Sequence, residues 1–312
     1  MGDYNISITG DLGSGKSSVA NELCKRLNFK YLSTGSMQRE IAREKGMDTL
    51  QLNYYSENNI EIDQIIDERI KNVSSLDENF VLDSRLAWFF VNKSFKLYLT
   101  VPPEIAAKRV LKDKERTEEP AADDLKSKAE NLLERRFVEN RRFKKIYGVD
   151  CSDLNNYNLV IDTSNTTVEG VVKLILEFYT LWKNGLHFSK FWASPKAFFP
   201  TEGVKQLARE NAKDIFREIK DLGFNALYPI KVVKYGYFMY IFDGHKRTSG
   251  ALLSNINFIP YNIIDDDKFE EGELGSISKF IKASFNESQL HDWENMHNFK
   301  YETYPSVSTH DL

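Results

Sequence analysis

The sequence is poor in cysteine, carries no marked excess of either charge, and has no long apolar run. Its two cysteines, Cys24 and Cys151, lack the spacing of metal ligands and predict reduced, buried thiols in a cytoplasmic protein. A formal net charge of -4 without a basic block argues against binding to DNA or RNA. No run of about 18 apolar residues occurs, so we expect no membrane-spanning helix.

The rest of the composition is that of a globular protein. At 312 residues, with 41% apolar and 28% charged residues, the chain is long for one domain and sufficient for two. A strand is predicted at the very start of the chain, so we expect no signal peptide. The composition leaves the oligomeric state open.

Residues 10–18 form a glycine-rich stretch, GDLGSGKSS, that fits the pattern G-x-x-x-x-G-K-S/T. β-Branched residues before it predict a strand, and apolar residues at helical spacing after it predict a helix. A glycine loop between a strand and a helix is typical of a P-loop, whose backbone N–H groups surround nucleotide phosphates at the positive end of the helix. The alternative, a glycine-rich turn with a solvent-facing lysine, does not account for this context.

The residues of this loop have separate predicted tasks. Lys16 neutralises charge on the β- and γ-phosphates, and the Ser17 hydroxyl is a ligand for Mg²⁺. Asp83, at the end of a predicted buried strand, is a second candidate ligand, directly or through water. ATP and Mg²⁺ are therefore the expected cofactors. The predicted phosphate-binding residues are Gly10, Gly13, Ser14, Gly15, Lys16, Ser17 and Ser18.

Strand and helix patterns alternate through residues 1–185, which predicts an α/β domain with a parallel sheet covered by helices on both faces. The predicted strands are 5–9, 29–32, 79–83, 95–100 and 159–162, and the predicted helices are 19–27, 37–45, 59–74, 105–112, 124–147 and 168–181. Residues 112–124 are charged and predict a lid that closes over the phosphates.

Arginine side chains mark a second half of the predicted site. Guanidinium forks suit the dianion of a phosphate monoester. Arg39 and Arg85 follow predicted strands, at the sheet edge where α/β proteins bind ligands. Arg109 and Arg116 are either donors to the transferring phosphoryl group or plain surface residues.

A long predicted helix carries three further charged candidates. Arg135, Glu139 and Arg142 share one helix face, because they are spaced i, i+4 and i+7. Helical spacing alone leaves a solvated face as an equal alternative.

This order of motifs resembles the cytidylate kinase family, in particular its archaeal-type branch, over roughly residues 4–180. The matching segments are GDLGSGKSS, LSTGSMQREIAREKGM, EIDQIIDERI, FVLDSRLAW, VPPEIAAKRV and ERRFVENRRFKKIYGVDCSDLNNYNLVIDTS. The resemblance implies a P-loop kinase that phosphorylates a nucleoside monophosphate, CMP or dCMP. It implies that Lys16, Arg85, Arg135 and Arg142 are catalytic and that the acceptor is bound by Thr34, Arg39, Asp83, Arg85, Arg135, Glu139 and Arg142.

Three positions at the expected acceptor rim depart from the family's pattern. They are Ser36, Ser84 and the bulky segment 88–90. They leave the nucleobase and the class of acceptor open. The alternatives are a kinase for another small metabolite and a nucleotide-sensing regulatory protein.

Residues 186–312 are predicted to form a second, smaller α+β domain, after an aromatic connector over 188–200. The pattern gives a helix over 201–219, strands over 229–233 and 237–242, a helix over 248–254, and a strand over 259–264. The segments PIKVV and YIFDGHKRTSGALLSNINFIPYNII resemble the ParB/sulfiredoxin-like nucleotide-binding domain. The resemblance implies a phosphate site at a helix N-terminus, formed by Glu202, Asp243, Gly244, His245, Lys246, Arg247 and Thr248.

Several known activities of that superfamily are excluded by the residues present. His245 stands where sulfiredoxins need a reactive cysteine, and no helix-turn-helix pattern follows the last strand, only an acidic patch over 265–271. A free-serine-kinase-like activity stays open, since Glu202 and the Asp243-Gly244-His245 box fit its pattern loosely. A tight Asp-Gly hairpin turn with two exposed bases is the other alternative.

Overall fold

The fold is described from a computed structural model, which describes residues 4–73, 76–113, 124–207, 212–264 and 276–305. Most of the predicted lid, with Arg116, and the acidic patch over 265–271 lie outside these ranges. The chain divides into two compact units, Met1–Thr163 with Thr167–Phe188, and Ser164–Thr166 with Ser189–Leu312. None of the described helices is long and apolar enough to cross a bilayer.

The first unit alternates strands and helices as predicted. Its strands are β1 (Asn5–Gly10), β2 (Lys30–Ser33), β3 (Phe80–Asp83), β4 (Ser94–Thr100) and β5 (Leu159–Asp162). Its helices are α1 (Lys16–Leu27), α2 (Thr34–Glu44), α3 (Thr49–Ser56), α4 (Glu61–Asn72), α5 (Ala87–Phe90), α6 (Pro103–Lys112), α7 (Leu125–Tyr147) and α8 (Val168–Lys183).

The five strands of this unit form a parallel sheet in the order β2-β3-β1-β4-β5, which confirms the predicted parallel arrangement. Every residue of β1, β3 and β5 is buried, as expected for strands of a parallel sheet. Ile8 of β1 pairs with Asp83 of β3, so the loop after β1 and the acid at the end of β3 lie at the same sheet edge.

The turn after β1 has a backbone that requires glycine. Gly10 has a φ of 144°, and a Cβ atom there would lie 2.0 Å from the carbonyl oxygen of Leu99. The chain then turns into α1, which begins at Lys16. The predicted strand, glycine loop and helix are confirmed.

Two short helices of the first unit, among its described residues, were not predicted. In α3, Asp48 and Gln51 form a capping box, in which each side chain accepts a hydrogen bond from the other residue's backbone N–H. That pattern in the sequence could have revealed the helix. The other is α5, which lies in the predicted acceptor rim. Pro103 is the first residue of α6, where its missing N–H is harmless.

The second unit contains more strand than predicted. Its strands are β6 (Phe191–Ala193), β7 (Phe198–Phe199), β8 (Ile230–Tyr235), β9 (Phe238–Asp243) and β10 (Ile259–Ile263). Its helices are α9 (Val204–Leu207), α10 (Ala212–Leu222), α11 (His245–Leu253), α12 (Ile277–Ser284) and α13 (Glu287–His297). The expected connector therefore contributes two strands, and the helix expected over 201–219 is described as α9 and α10.

The sheet of the second unit is mixed, in the order β6-β10-β8-β9-β7, with β8 antiparallel to β9 and parallel to β10. Its core includes Trp293, which is fully buried, together with Tyr261 and Phe198. Beside Trp293, the Glu294 carboxylate accepts hydrogen bonds from the backbone N–H of Tyr301 at 3.0 Å and from other donors. This buried acid fixes the chain that follows α13.

Candidate active site

Lys16 lies at the start of α1 with its ammonium group turned into the glycine loop. Its Nζ donates to the carbonyl oxygens of Gly10 at 3.0 Å and Asp11 at 2.7 Å. The first N–H groups of α1 have no carbonyl partners inside the helix and concentrate positive potential at the same place. The loop therefore offers a positive charge and backbone donors to a phosphate group.

Side-chain oxygen atoms that suit a magnesium ion lie beside this loop. Ser17 Oγ donates to Asp83 Oδ2 at 2.9 Å, and the Tyr31 hydroxyl donates to the same oxygen at 3.1 Å. Burial, with the charge of Asp83, raises the pKa of Tyr31, so this phenol stays protonated as a donor. A hydroxyl and a single carboxylate suit Mg²⁺, which is commonly held by one or two carboxylates together with substrate phosphates.

The acceptor half of the site is organised around Glu139, which is buried on α7. Arg85 Nε lies 2.9 Å from Glu139 Oε2, and Arg135 Nε donates to Glu139 Oε1 at 3.1 Å. Arg85 Nη1 also donates to the carbonyl oxygen of Gly10 at 2.6 Å, which ties the arginine to the phosphate loop. The solvated-face interpretation of this part of α7 is wrong, since Arg135 and Glu139 are buried.

Glu139 is ionised despite its burial. Burial alone would raise its pKa, but the charges of Arg85, Arg135 and Arg142 outweigh that effect and lower the pKa to about 2. The same carboxylate raises the pKa of Arg85, so the guanidinium group stays charged. The cluster therefore holds fixed positive charges next to the P-loop at all ordinary pH values.

The unpredicted helix α3 completes this cluster. Arg142 Nη1 donates to Asn53 Oδ1 at 2.8 Å, and Arg142 Nε lies 3.0 Å from Asp63 Oδ2. Asn53 Nδ2 in turn donates to Glu139 Oε1 at 3.3 Å, and Arg135 Nη1 donates to Thr49 Oγ1 at 3.1 Å. Side chains of α3 thus hold the arginines of α7 in place.

One cavity collects most of the predicted residues of this unit. It is lined by Leu12, Gly13, Gly15, Lys16, Ser17, Ser33, Thr34, Gly35, Gln38, Arg39, Asp83, Ser84, Arg85, Arg135 and Glu139. The predicted residues Gly10, Ser14, Ser18 and Arg142 are not part of this lining. Within the described chain, Arg85 Nη2 is buried and has no hydrogen-bond partner. Arg85 therefore lines the cavity while one of its N–H groups is left without a hydrogen-bond partner among the described residues.

Arg109 lies near the P-loop but is turned to the end of β5. Its Nη2 donates to the carbonyl oxygen of Thr163 at 2.6 Å, and its Nη1 lies 3.4 Å from the carbonyl oxygen of Gly13. Its place beside the phosphate loop keeps both of its predicted roles open.

We predict that Glu139→Gln destabilises the fold at neutral pH by about 3–5 kcal/mol, because the buried arginines lose their counter-charge. The pKa of Glu139 is near 2 in the folded protein against an ordinary 4.5, so its contribution is complete above about pH 5 and is lost as the pH falls towards 2. Urea unfolding of the wild type and of Glu139→Gln from pH 7 to pH 3 measures the difference between their unfolding free energies. This difference should narrow as the pH falls.

Glu130→Gln is the matched control, because this glutamate lies on the same helix with a side chain that is 64% exposed. It should leave the unfolding free energy within about 0.5 kcal/mol of the wild-type value. A Glu139→Gln gap that does not change with pH would show that the carboxylate charge is not what stabilises the cluster.

The second unit has a cavity of about 600 Å³ at the N-terminus of α11. Gly244 caps this helix with a φ of 112°, and a Cβ atom there would lie 2.7 Å from Ile230 Cγ2. Since β9 leads directly into α11, the hairpin-turn alternative is wrong. Ionisable or aromatic residues of the lining are Glu202, Glu218, Phe224, Tyr228, Asp243, His245, Lys246 and Arg247.

His245 is buried in this wall as a neutral imidazole. Burial lowers its pKa to about 4, against a smaller opposing effect of Asp243. The backbone N–H of Thr201 donates to His245 Nε2 at 3.0 Å, so the ring proton is on Nδ1, which lies 3.5 Å from Glu202 Oε1. Two of the predicted residues, Glu202 and His245, are therefore brought together.

Arg247 and Thr248 have structural contacts. Arg247 Nη1 donates to the carbonyl oxygens of Tyr228 and Pro229, and Arg247 Nη2 lies 3.2 Å from Asp243 Oδ2. Thr248 is fully buried, donates to the Gly244 carbonyl oxygen at 3.1 Å, and is not part of the cavity lining. Lys246 and Arg247 are the two cations of the predicted box that line the cavity.

Comparison with known proteins bears on the first unit. A family model described as an AAA domain matches residues 6–142. A cytidylate kinase of Saccharolobus islandicus (strain Y.G.57.14 / Yellowstone #1) is 35% identical over 179 residues, covering 56% of this chain and 90% of that protein. A cytidylate kinase of Sulfurisphaera tokodaii is 37% identical over 172 residues, covering 54% of this chain and 92% of that protein.

A further relative covers 55% of this chain, and a solved structure covers 60% of it. The cytidylate kinase of Archaeoglobus fulgidus is 32% identical over 173 residues and is covered to 92% of its length. A structure of shikimate kinase from Acinetobacter baumannii in complex with shikimate is 16% identical with a TM-score of 0.39, covering 60% of this chain and 97% of that chain. The sequence relatives confirm the predicted resemblance of the first unit to cytidylate kinases.

Proposed function

The chain belongs to the cytidylate kinase family, and on that premise we propose that it transfers the γ-phosphoryl group of ATP to CMP or dCMP. The enzyme class is an ATP-dependent nucleoside monophosphate kinase that uses Mg²⁺. The identity of the acceptor is the proposed part. The observation that carries it is the buried arginine cluster around Glu139, which adjoins the P-loop in one cavity.

The charge of the cluster matches the acceptor's phosphate. Arg85 and Arg135 lie against Glu139, Arg142 lies against Asp63, and Arg39 lines the same cavity as Arg85 and Arg135. Guanidinium groups suit a phosphate monoester dianion, because their planar forks match its oxygens and their charge offsets its own. Since Arg85 also bonds to the Gly10 carbonyl oxygen, it holds the acceptor phosphate next to the donor loop.

The chemistry needs positioning and charge stabilisation more than proton transfer. The acceptor's phosphate oxygen is already ionised near neutral pH, so no general base is required. Lys16 and the α1 backbone donors hold the donor phosphates while Arg85 aligns the acceptor. Ser17 and Asp83 would hold Mg²⁺, which neutralises charge on the donor phosphates.

The departures from the family pattern are compatible with a nucleotide acceptor. Ser36 Oγ donates to the carbonyl oxygen of Ser33 at 2.8 Å, and Ser84 Oγ accepts from the backbone N–H of Leu86. Trp88 packs against Tyr157, with ring centroids 5.7 Å apart, and does not line the cavity. Ser36 and Ser84 therefore satisfy local turns, Ser84 also lines the cavity as a small side chain, and Trp88 belongs to the core, which supports a retained acceptor class.

A coupled ADP-release assay over nucleoside monophosphates, free amino acids including serine, and sugars tests this proposal. CMP or dCMP should give the highest kcat/KM. A small non-nucleotide acceptor with a higher value would establish the metabolite-kinase alternative. Tight ATP binding without turnover of any acceptor would favour the nucleotide-sensing alternative.

We also propose that the cavity of the second unit binds a phosphate-bearing nucleotide or metabolite through Lys246 and the first backbone N–H groups of α11. A helix N-terminus favours an anion, and the wall supplies aromatic surface from Phe224 and Tyr228. Lys246 and Arg247 both line this cavity and supply positive charge beside the helix N-terminus. Binding at this proposed site does not depend on the P-loop.

Calorimetry on the full chain with Lys16→Ala tests the second site, because this change removes the P-loop lysine. Titration with CTP, ATP and ADP should still reveal binding of at least one of them. Adding Lys246→Ala should weaken that binding by about tenfold or more, as expected when a charge-assisted hydrogen bond is removed. Lys282→Ala, exposed on α12 of the same unit, should have no effect. If Lys246→Ala leaves the titrations of the Lys16→Ala protein unchanged, the proposed second site is absent.

A further inference from the structure

The phosphate loop contains an acid, Asp11, that the phosphate-binding pattern does not explain. Its side chain is 11% exposed, and both carboxylate oxygens accept hydrogen bonds. Oδ2 accepts from Thr100 Oγ1 at 2.7 Å and from the backbone N–H of Val101 at 3.0 Å, and Oδ1 accepts from the Tyr98 hydroxyl at 2.9 Å. An anion placed inside a loop that binds a polyanion repels the ligand unless its own charge is compensated.

The compensating charge comes from α7. Arg136 Nη1 lies 2.6 Å from Asp11 Oδ1, and Arg136 Nη2 donates to the Tyr98 hydroxyl at 2.8 Å. Burial of Asp11 would raise its pKa, but Arg136 and the hydrogen bonds lower it, so the pair is ionic. Arg136 thus closes a small network of a carboxylate, a phenol and a guanidinium group.

The neighbours of Arg136 belong to the other half of the site. Arg135 precedes it and Glu139 follows one turn later, and both lie in the acceptor cluster. Nearby residues of α7 therefore contact different halves of the site. Arg136 contacts the donor loop, whereas Arg135 and Glu139 belong to the acceptor cluster. Because a helix is rigid over one turn, the position of the donor loop is tied to that of the acceptor arginines.

We propose that the Asp11–Arg136 pair is a positioning contact that couples donor binding to acceptor binding. It does not touch the reacting atoms. Ordering of the phosphate loop by ATP is transmitted through Asp11 and Arg136 to α7, which presents the acceptor residues in their binding arrangement. By linkage, the acceptor favours donor binding to the same degree. The inference rests on the proposed kinase function.

Hydrogen exchange on the full chain tests the contact without assuming the acceptor. Mg²⁺ and a non-hydrolysable ATP analogue should slow amide exchange in both the P-loop and α7 of the wild type. Arg136→Met keeps the volume of the side chain and removes its charge. In this variant the protection should be confined to the P-loop, and Arg136→Lys should restore part of the protection in α7.

Binding measurements give the size of the coupling. The analogue should lower the Kd of CMP for the wild type by about 5- to 150-fold, the usual range of such coupling. In Arg136→Met this factor should fall to near one, while the Kd of each ligand alone changes by less than about fivefold, as expected for a partly exposed ion pair. Arg141→Met, an exposed arginine of the same helix paired with Glu57, should behave as the wild type.

The outcomes separate this inference from the proposed acceptor. If α7 is not protected in the wild type, or is protected equally in Arg136→Met, the coupling contact is refuted whatever the acceptor is. If α7 shows the expected pattern and CMP does not bind, the contact stands and the acceptor is wrong. A parallel loss of the melting temperature and of both affinities in Arg136→Met would mark a purely structural pair and overturn the inference.

Discussion

Lys16→Ala should lower kcat for phosphoryl transfer by about 10²- to 10³-fold or more, with every acceptor. Removing one preorganised donor from developing charge has this effect in other enzymes. Lys16 Nζ is the loop's side-chain cation, and it lies within 3.0 Å of two loop carbonyl oxygens. Steady-state kinetics with saturating ATP and Mg²⁺ measures the loss.

The fold should survive this change. The substitution removes two hydrogen bonds at a partly exposed position, so the unfolding free energy should fall by less than about 2 kcal/mol. Lys25→Ala is the control, since this lysine lies on the same helix with a side chain that is 76% exposed. Wild-type turnover by the Lys16→Ala protein would move the active site away from the P-loop.

Arg85→Lys should lower kcat/KM for CMP by about 30- to 1000-fold, which corresponds to roughly 2–4 kcal/mol for the loss of a bidentate arginine–phosphate interaction in a closed site. Lysine preserves the charge that Glu139 needs but not the planar fork. Arg85 also has a buried Nη2 without a partner in the described chain, a group that lysine cannot replace. Initial rates at varied CMP, with ATP saturating, measure the effect.

Donor affinity should change by less than about threefold, since the contact of Arg85 with the donor loop is a single hydrogen bond. Arg26→Lys, in a surface pair with Glu22 and Glu169, controls for the exchange itself. An equal loss in ATP binding and in CMP use would contradict the assignment of Arg85 to the acceptor. So would unchanged kinetics with CMP.

The strand, loop and helix that form the donor half of the candidate site are predictable from the sequence because their signals are local. A strand, a glycine loop and a helix follow one another without interruption, and the positive φ of Gly10 is a property of that one residue. The parallel sheet follows from the alternation of buried strands and helices. Ser17 and Asp83 meet because their strands are neighbours with their carboxyl ends at one edge.

The acceptor half depends on contacts between residues far apart in the chain, which no local pattern encodes. Helical spacing grouped Arg135 with Glu139 but could not tell a buried face from a solvated one. What decides it is α3, whose Asn53 reaches across 86 residues to Glu139. Asp11 occupies one of the unspecified positions of the glycine-rich pattern, and its partner Arg136 is distant in sequence and outside the predicted helix face, so no local pattern indicates this pair.

In the second unit the sequence identified the basic box and missed how its charges are paired. The helix predicted over 248–254 begins earlier, at His245, so the box forms the first turn of α11, and Arg247 is bonded to Asp243 and to the carbonyl oxygens of Tyr228 and Pro229. Its strands β6 and β7 are two or three residues long, too short for an alternating pattern to reveal.

The most direct test of the central claim follows the labelled γ-phosphoryl group itself. Wild-type protein, with Mg²⁺, CMP and ATP labelled at the γ-phosphate, should produce CDP that carries the label on its β-phosphate, and the Lys16→Ala protein should not. Chromatography with mass detection identifies the labelled product. Label found only in inorganic phosphate, or on a compound other than a nucleotide when other acceptors are supplied with CMP, would contradict the account.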